Sequence, residues 1–135
     1  MKKTPKLMDK GKTARFSFQE LTVWQKSVAF AASVVKAIES VETTRAHYRL
    51  IEQLESACTS VAMNIAEGKG RQTTKEFVQF LFIARGSLFE VVTLLIILNE
   101  LDWLTKAQLS QFQDDAEEIT KMLNAMIKAM RKQVS

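Results

Sequence analysis

The chain has 135 residues, 47% hydrophobic and 25% charged, with a formal net charge of +4 at pH 7. This length suits one domain, and the apolar share is enough for a core without disulfides or a structural metal. The single cysteine, Cys58, excludes an internal disulfide, and the N-terminus lacks the apolar segment of a secretory signal. The longest uncharged apolar run, residues 91–98, is far shorter than the ~20 residues of a membrane span. We therefore expect a cytoplasmic protein without a membrane partner.

The positive charge is concentrated at the start of the chain. The first 15 residues hold six basic side chains and one acidic side chain, whereas the rest of the chain holds 13 basic and 14 acidic ones. We expect a basic, disordered tail over residues 1–15 and a nearly neutral folded domain over residues 16–135. Such a tail attracts phosphate or acidic lipid, although many are only solvated leaders. Its basic residues are Lys2, Lys3, Lys6, Lys10, Lys12 and Arg15.

The pattern of the domain predicts four helices. Four segments carry apolar residues at the spacing of an α-helix, and no segment alternates for long enough to predict a strand. Short connections favour antiparallel neighbours, so the sequence predicts an all-α, antiparallel up-down-up-down four-helix bundle. The first two predicted helices cover about 18–40 and 45–67. The third follows a capping box at 73–76 and continues to about 101, and the fourth follows a capping box at 105–108 and reaches about 132.

The first helix is predicted to begin with a capping box formed by Ser17 and Glu20. One apolar stripe follows this start. Val23, Phe30 and Val34 lie off that stripe, and we interpret them as surplus apolar surface for another subunit.

The second helix ends in the stretch NIAEGKGRQTTKEF, residues 64–77, which resembles a phosphate-binding loop at first sight. It has neither the GxxxxGK[ST] nor the GxGxxG pattern, and no strand precedes it, so we interpret it as a connector between helices. Gly68 is expected at the left-handed position that ends the second helix, and Gly70 is expected to help turn the chain. Thr73 and Glu76 fit the capping box of the third helix.

A simple turn does not account for four polar residues of this stretch, which are Asn64, Glu67, Lys69 and Arg71. Asn64 lies on the apolar stripe of its helix, where an unpaired amide would cost about 1–3 kcal/mol. Glu67 lies on the same face, and Arg71 is near enough to fold back to both. These residues form either a polar latch or a ligand or partner site at this end of the domain.

The third helix is apolar nearly all round. Five large apolar residues lie off its main stripe, namely Phe82, Ile83, Phe89, Ile96 and Ile97. A helix of this kind is buried on more than one side, and in so small a domain one side then faces another subunit. We therefore expect a homo-oligomer with this helix at the contact.

Arg85 and Glu90 interrupt the apolar character of the third helix. Charges in such a place are rarely left unpaired. A hairpin about the turn at 68–73 would place the second helix opposite them, and we predict the ion pairs Glu55–Arg85 and Arg49–Glu90.

The fourth helix is predicted to begin with a capping box formed by Thr105 and Gln108. Met122, Met126 and Met130 then recur every four residues. This spacing is typical of core packing.

The chain lacks the residue combinations of enzymes and metal sites. Its single histidine, His47, cannot supply the two Glu-x-x-His motifs of a di-iron bundle and has no metal-ligand spacing around it. Cys58 lies on a core face with no imidazole nearby in sequence to activate it. We predict that the protein is not an enzyme and binds no metal or cofactor.

Three segments resemble a family of bacterial four-helix-bundle proteins that are encoded in intervening sequences of large-subunit ribosomal RNA genes. The segments are LTVWQKSV at 21–28, IEQLESACTSVAMNIAEGKGR at 51–71 and KEFVQFLFIARGSLFEVV at 75–92. The resemblance covers roughly 16–132, and it is specific because helical periodicity does not demand the polar residues of these motifs. The matching signature residues are Asn64, Glu67, Gly68, Arg71, Arg85, Ser87 and Glu90.

The resemblance implies an antiparallel four-helix bundle that assembles into a homopentamer. The family is also similar in fold to accessory proteins of diversity-generating retroelements, which form pentameric barrels and bind a reverse transcriptase and nucleic acid. The resemblance leaves open whether the signature residues are structural or ligand-binding. The nearly neutral domain departs from a strongly basic surface, and the basic tail partly compensates.

The leading functional hypothesis is a non-enzymatic, oligomeric adaptor that binds RNA or DNA, as an accessory subunit to a nucleic-acid enzyme such as a reverse transcriptase. The candidate contacts are the basic residues of the tail together with Lys69, Arg71 and Lys75. The alternative is a protein-interaction scaffold with no nucleic-acid role. A third possibility, a small-molecule or metal-binding bundle, needs more core polar ligands than Asn64 and Glu67.

Overall fold

The computed structural model describes residues 14–41 and 47–134. Within these ranges the chain is all-helical, with four α-helices and no strand, as the sequence predicts. A short 3-10 helix, Ser17–Glu20, precedes them. The α-helices are α1, Thr22–Ile38; α2, Tyr48–Lys69; α3, Thr74–Glu100; and α4, Lys106–Val134.

The predicted caps form at the starts of α3 and α4. At α3, the backbone N–H of Glu76 donates to Thr73 Oγ1 at 3.1 Å. At α4, the N–H of Gln108 donates to Thr105 Oγ1 at 3.0 Å, and the N–H of Thr105 donates to Gln108 Oε1 at 2.9 Å. These bonds satisfy backbone donors that have no partner inside the helix, and they fix where the two helices begin.

The predicted cap between Ser17 and Glu20 is wrong. Gln19 Oε1 accepts a hydrogen bond from the backbone N–H of Phe16 at 2.8 Å, and the chain makes the short 3-10 helix there. Leu21 then has extended backbone angles, so α1 begins as a separate element.

α3 lies at the centre of the fold. It packs against α2 and α4, and α1 packs against the same two helices. Side chains from all four helices form one apolar core, in which Leu88 and Leu95 of α3 are fully buried. Val23, Phe30 and Val34 of α1 belong to this core, so their assignment to a second surface was wrong. Because α1 contacts two neighbours, its buried face is wider than the single stripe that the sequence suggested.

α2 and α3 run antiparallel. The Ser60 and Ser87 hydroxyls are hydrogen-bonded at 2.8 Å, and Gln53 Nε2 donates to Glu90 Oε2 at 3.3 Å. As the residue number rises along α2, the number of its contact on α3 falls. The turn between the two helices therefore lies at one extreme end of the domain.

The predicted ion pairs Glu55–Arg85 and Arg49–Glu90 do not form. The carboxylate of Glu90 instead accepts from the glutamine one turn further along α2, and Arg85 bonds to a residue of α4. The predicted register was therefore wrong by about one turn, and Arg85 lies on the side of α3 that faces α4.

α2 and α3 are in close contact at Gly68, which is buried in the last turns of α2. A Cβ atom at this position would lie 2.7 Å from Cβ of Phe80 and 2.8 Å from Cδ1 of Phe77. The left-handed conformation expected for Gly68 is wrong, because α2 continues through it to Lys69, and the C-cap residue Gly70 has right-handed angles. Position 68 requires glycine because a side chain there would collide with α3. The backbone of Gly68 is helical, so a left-handed conformation is not the reason.

By length and composition alone, α3 could also cross a membrane. In this fold its apolar residues have another use, because nine of them are buried against the other helices. A central core helix of a soluble protein has the same length and composition. The expectation of no membrane partner stays a prediction.

The close approach at Gly68 can be tested by adding a methyl group. We expect Gly68→Ala to lower the free energy of unfolding by about 1–3 kcal/mol, because the methyl group overpacks the contact with Phe77 and Phe80. Urea unfolding followed by circular dichroism measures the change. Gly70→Ala is the matched control, since its Cβ would lie 3.6 Å from the nearest atom. Equal stability of the two variants would contradict the steric role of Gly68.

Candidate nucleic-acid interface

Basic side chains from two distant parts of the chain meet at one end of the domain. The turn between α2 and α3 lies at this end, and the last turns of α4 lie beside it. Lys75 of α3 and Arg131 of α4 line the same groove, and the Arg131 guanidinium lies 4.8 Å from the centroid of the Phe82 ring. We call this region the basic end. Its exposed basic residues are Lys69, Arg71, Lys75, Lys128, Arg131 and Lys132.

The sequence predicted half of this group. It selected Lys69, Arg71 and Lys75, and the structure places all three at the basic end. It missed the basic residues of α4, although the segment 124–134 contains three basic residues and no acidic one. That segment, combined with the predicted antiparallel topology, was the signal that could have placed them beside the turn.

Of the basic residues of the tail, only Arg15 lies within the described residues. Lys2, Lys3, Lys6, Lys10 and Lys12 lie outside the described residues. Arg15 is described and exposed, and it immediately precedes the 3-10 helix, which packs against α1 and α2. The structure therefore brings together the site residues of the turn and leaves the five tail lysines untested.

Arg71 is held in place by two contacts. Its Nη2 atom lies 3.1 Å from Oε2 of Glu67, and its guanidinium lies 4.7 Å from the centroid of the Phe80 ring. The Glu67–Arg71 part of the predicted latch therefore forms. The side chains of Arg71 and Glu67 keep 41% and 57% of their surface exposed, so the pair orders the arginine at the surface without removing it from solvent.

Asn64 takes part in a different network. Its Nδ2 atom donates to the backbone oxygen of Ser60 at 2.8 Å and to Ser60 Oγ at 2.9 Å, and Ser60 Oγ is bonded to Ser87 Oγ. The half-buried amide is thereby satisfied, and the network joins α2 to α3. Asn64 thus bonds within α2, and the Ser60–Ser87 pair makes the bond between the helices.

Arg85 joins α3 to α4. Its Nη1 atom donates to Asn124 Oδ1 at 2.8 Å, and its guanidinium lies 4.9 Å from the centroid of the Phe82 ring and 5.8 Å from that of Phe89. With Glu90 bonded to α2, the signature residues of α3 hold the central helix to both of its neighbours.

The charges of α4 are segregated along its length. Its first half carries four acidic residues, Asp114, Asp115, Glu117 and Glu118, whereas its last turns carry the basic residues of the basic end. At the basic end, the carboxylate of Glu67 is paired with Arg71, and that of Glu76 accepts from the Thr73 hydroxyl. An approaching anion is therefore attracted to one end of the domain and repelled from the other half of α4.

Comparison with known proteins identifies the family of the chain. A family model described as 23S rRNA-intervening sequence protein matches residues 19–125. The chain belongs to this family. The resemblance stated from the motifs is thereby confirmed, whereas the fold relation to retroelement accessory proteins stays a prediction.

One solved structure supports this membership in the 23S rRNA-intervening sequence protein family. It is a protein with unknown function from the S23 ribosomal protein family of Bacteroides thetaiotaomicron VPI-5482. The two chains are 27% identical with a TM-score of 0.73, and the match covers 79% of this chain and 99% of that chain. No curated protein matches the chain.

The cysteine and histidine of this family member occupy structural positions. Burial, with a smaller contribution from the charge of Glu55, raises the pKa of the Cys58 thiol to about 12, so the thiol stays protonated at neutral pH. His47 is exposed, and its ring packs edge-on against Trp103 with the centroids 4.8 Å apart. Across the described residues, no cluster of three potential metal ligands occurs.

Proposed function

We propose that the protein is a non-enzymatic adaptor whose basic end binds the phosphates of RNA or DNA. In this proposal the four helices form an antiparallel up-down-up-down bundle, and the protein is an accessory subunit to a nucleic-acid enzyme such as a reverse transcriptase. The observation that carries the proposal is the convergence of basic residues from the α2–α3 turn and from α4 on one end of the domain.

Phosphate recognition suits this arrangement physically. Lysine and arginine side chains that neutralise phosphates release counterions, and this release drives binding that falls steeply with salt. Arg71 is held ready at the surface by Glu67 and Phe80, so little of its side-chain freedom would be lost on binding. The acidic residues in the first half of α4 would repel the nucleic acid from that part of the domain.

A homo-oligomer would strengthen such binding. Ile83, Phe89, Ile96 and Ile97 form an exposed apolar face along α3, with exposed fractions of 50%, 51%, 39% and 40%. We propose that a second copy of the chain covers this face and that, by resemblance, the assembly is a pentamer. Several basic ends on one assembly would raise a weak phosphate affinity through avidity.

The second candidate function is a protein-interaction scaffold. The same apolar face of α3 favours it, because a partner protein of another kind could cover it. Binding to such a partner would depend little on salt and would not need the basic end, which distinguishes the two candidates.

The nucleic-acid proposal can be tested by removing charge from one end of the domain at a time. We expect the double variant Lys69→Gln, Lys75→Gln to weaken binding of labelled RNA or DNA by about tenfold or more, and to reduce the salt slope by about one per lysine. Fluorescence anisotropy at two salt concentrations measures both quantities. The matched control is Lys36→Gln, Lys106→Gln, which removes the same charge near the opposite end.

A chain lacking residues 1–15 separates the tail from the basic end in the same assay. Binding that survives this deletion and is lost in the Lys69, Lys75 variant supports the basic end as the site. Binding that is insensitive to salt, or equally weakened by the control variant, would contradict the proposal.

The oligomer proposal can be tested by placing a charge on the α3 face. We expect Phe89→Glu and Ile97→Glu each to lower the mass of the assembly towards that of one chain, because a buried carboxylate would lack a partner. Analytical ultracentrifugation measures the mass. Ala125→Glu, on the exposed surface of α4, is the control and should leave the mass unchanged. A wild-type protein that sediments as one chain would refute this part of the proposal.

A further inference from the structure

A shallow groove lies within the basic end, between the first turns of α3 and the last turn of α4. Its volume is about 250 Å³, and it is open to solvent. Three apolar and three polar side chains line it, and none of the six is acidic. The lining residues are Lys75, Val78, Gln79, Phe82, Arg131 and Val134.

The Phe82 ring positions a guanidinium group in this groove. The guanidinium groups of Arg131 and Arg85 lie 4.8 Å and 4.9 Å from the centroid of the ring. Arg85 is also bonded to Asn124, so this cluster is anchored to both α3 and α4. Arg131 is exposed and lines the groove, so it presents a planar cation there. Such a plane is a stacking surface for a nucleobase.

The size of the groove limits its occupant. Pockets for drug-sized ligands have volumes of about 300–1,000 Å³, so this groove suits one flat ring with the rest of the ligand outside. Val78 and Val134 offer apolar walls to a ring, and the Gln79 amide offers a donor and an acceptor for its edge. Lys75 also lines the groove, and its positive charge suits the phosphate next to the base.

We propose that this groove takes one unpaired base of a single-stranded nucleic acid, with the base stacked on Arg131 and the adjoining phosphate paired with Lys75. The proposal rests on the proposed function and narrows its ligand to single strands. A base in a duplex is stacked on both faces and would have to be flipped out to enter. An acidic peptide would satisfy the two cations but would leave the stacking surface unused.

The test compares three labelled probes on the full chain by fluorescence anisotropy. The probes are a single-stranded oligonucleotide, an abasic strand of equal length and charge, and the duplex of the first strand. We expect the wild type to prefer the base-bearing strand over the abasic strand by about tenfold, as base stacking of this kind provides. Arg131→Lys keeps the charge and removes the plane, so it should abolish that preference and leave abasic-strand binding unchanged.

Lys121→Arg is the control variant, because it keeps an exposed cation on α4 outside both the groove and the basic end. It should retain the preference for bases, and both variants should unfold at the wild-type temperature. Equal binding of the base-bearing and abasic strands by the wild type would overturn the groove proposal while leaving phosphate binding intact. A preference that persists in Arg131→Lys would overturn it in the same way. If none of the three nucleic-acid probes binds, the proposed function is overturned as well. This holds even if the protein binds an acidic peptide.

Discussion

The tight contact of α2 with α3 at Gly68 is the constraint on which the rest of the fold depends. Because no side chain separates the helices there, α2 lies directly against Phe77 and Phe80 of α3. This contact sets the register, which in turn brings Ser60 to Ser87 further along the pair. It also keeps the turn short, so that the basic residues on either side of it remain close together at the end of the domain.

The sequence predicted the helices well because its signals are local. Apolar spacing predicted four helices, and side-chain caps marked the starts of α3 and α4. Tertiary packing decided the features that were predicted wrongly. A glycine that ends a helix and a glycine that lets two helices touch look alike in sequence, and the face of α1 depends on its two neighbours. The partner of Arg85 depends on a register that a helical repeat alone does not determine.

The candidate site was also predicted where its signals are local, and missed where it depends on packing between helices. The sequence pointed to Lys69, Arg71 and Lys75 because they lie in or beside the predicted turn. Arg131 joined the candidate site only when the structure placed α4 beside α3. Three of the signature residues, Arg85, Ser87 and Glu90, connect α3 to its neighbouring helices. Asn64 bonds within the α2–α3 network. The family motif thus contributes contacts within the fold, and in the proposed function the lysines and arginines around it would bind phosphate.

Cross-linking a bound nucleic acid to the chain would show whether the basic end is the binding surface. The protein would be cross-linked by ultraviolet light to single-stranded RNA and analysed by mass spectrometry. A parallel sample would contain a duplex as competitor. We expect cross-links within residues 69–82 and 128–134, the two segments of the basic end. Cross-links confined to the opposite end, within residues 30–41 and 100–112, would contradict it.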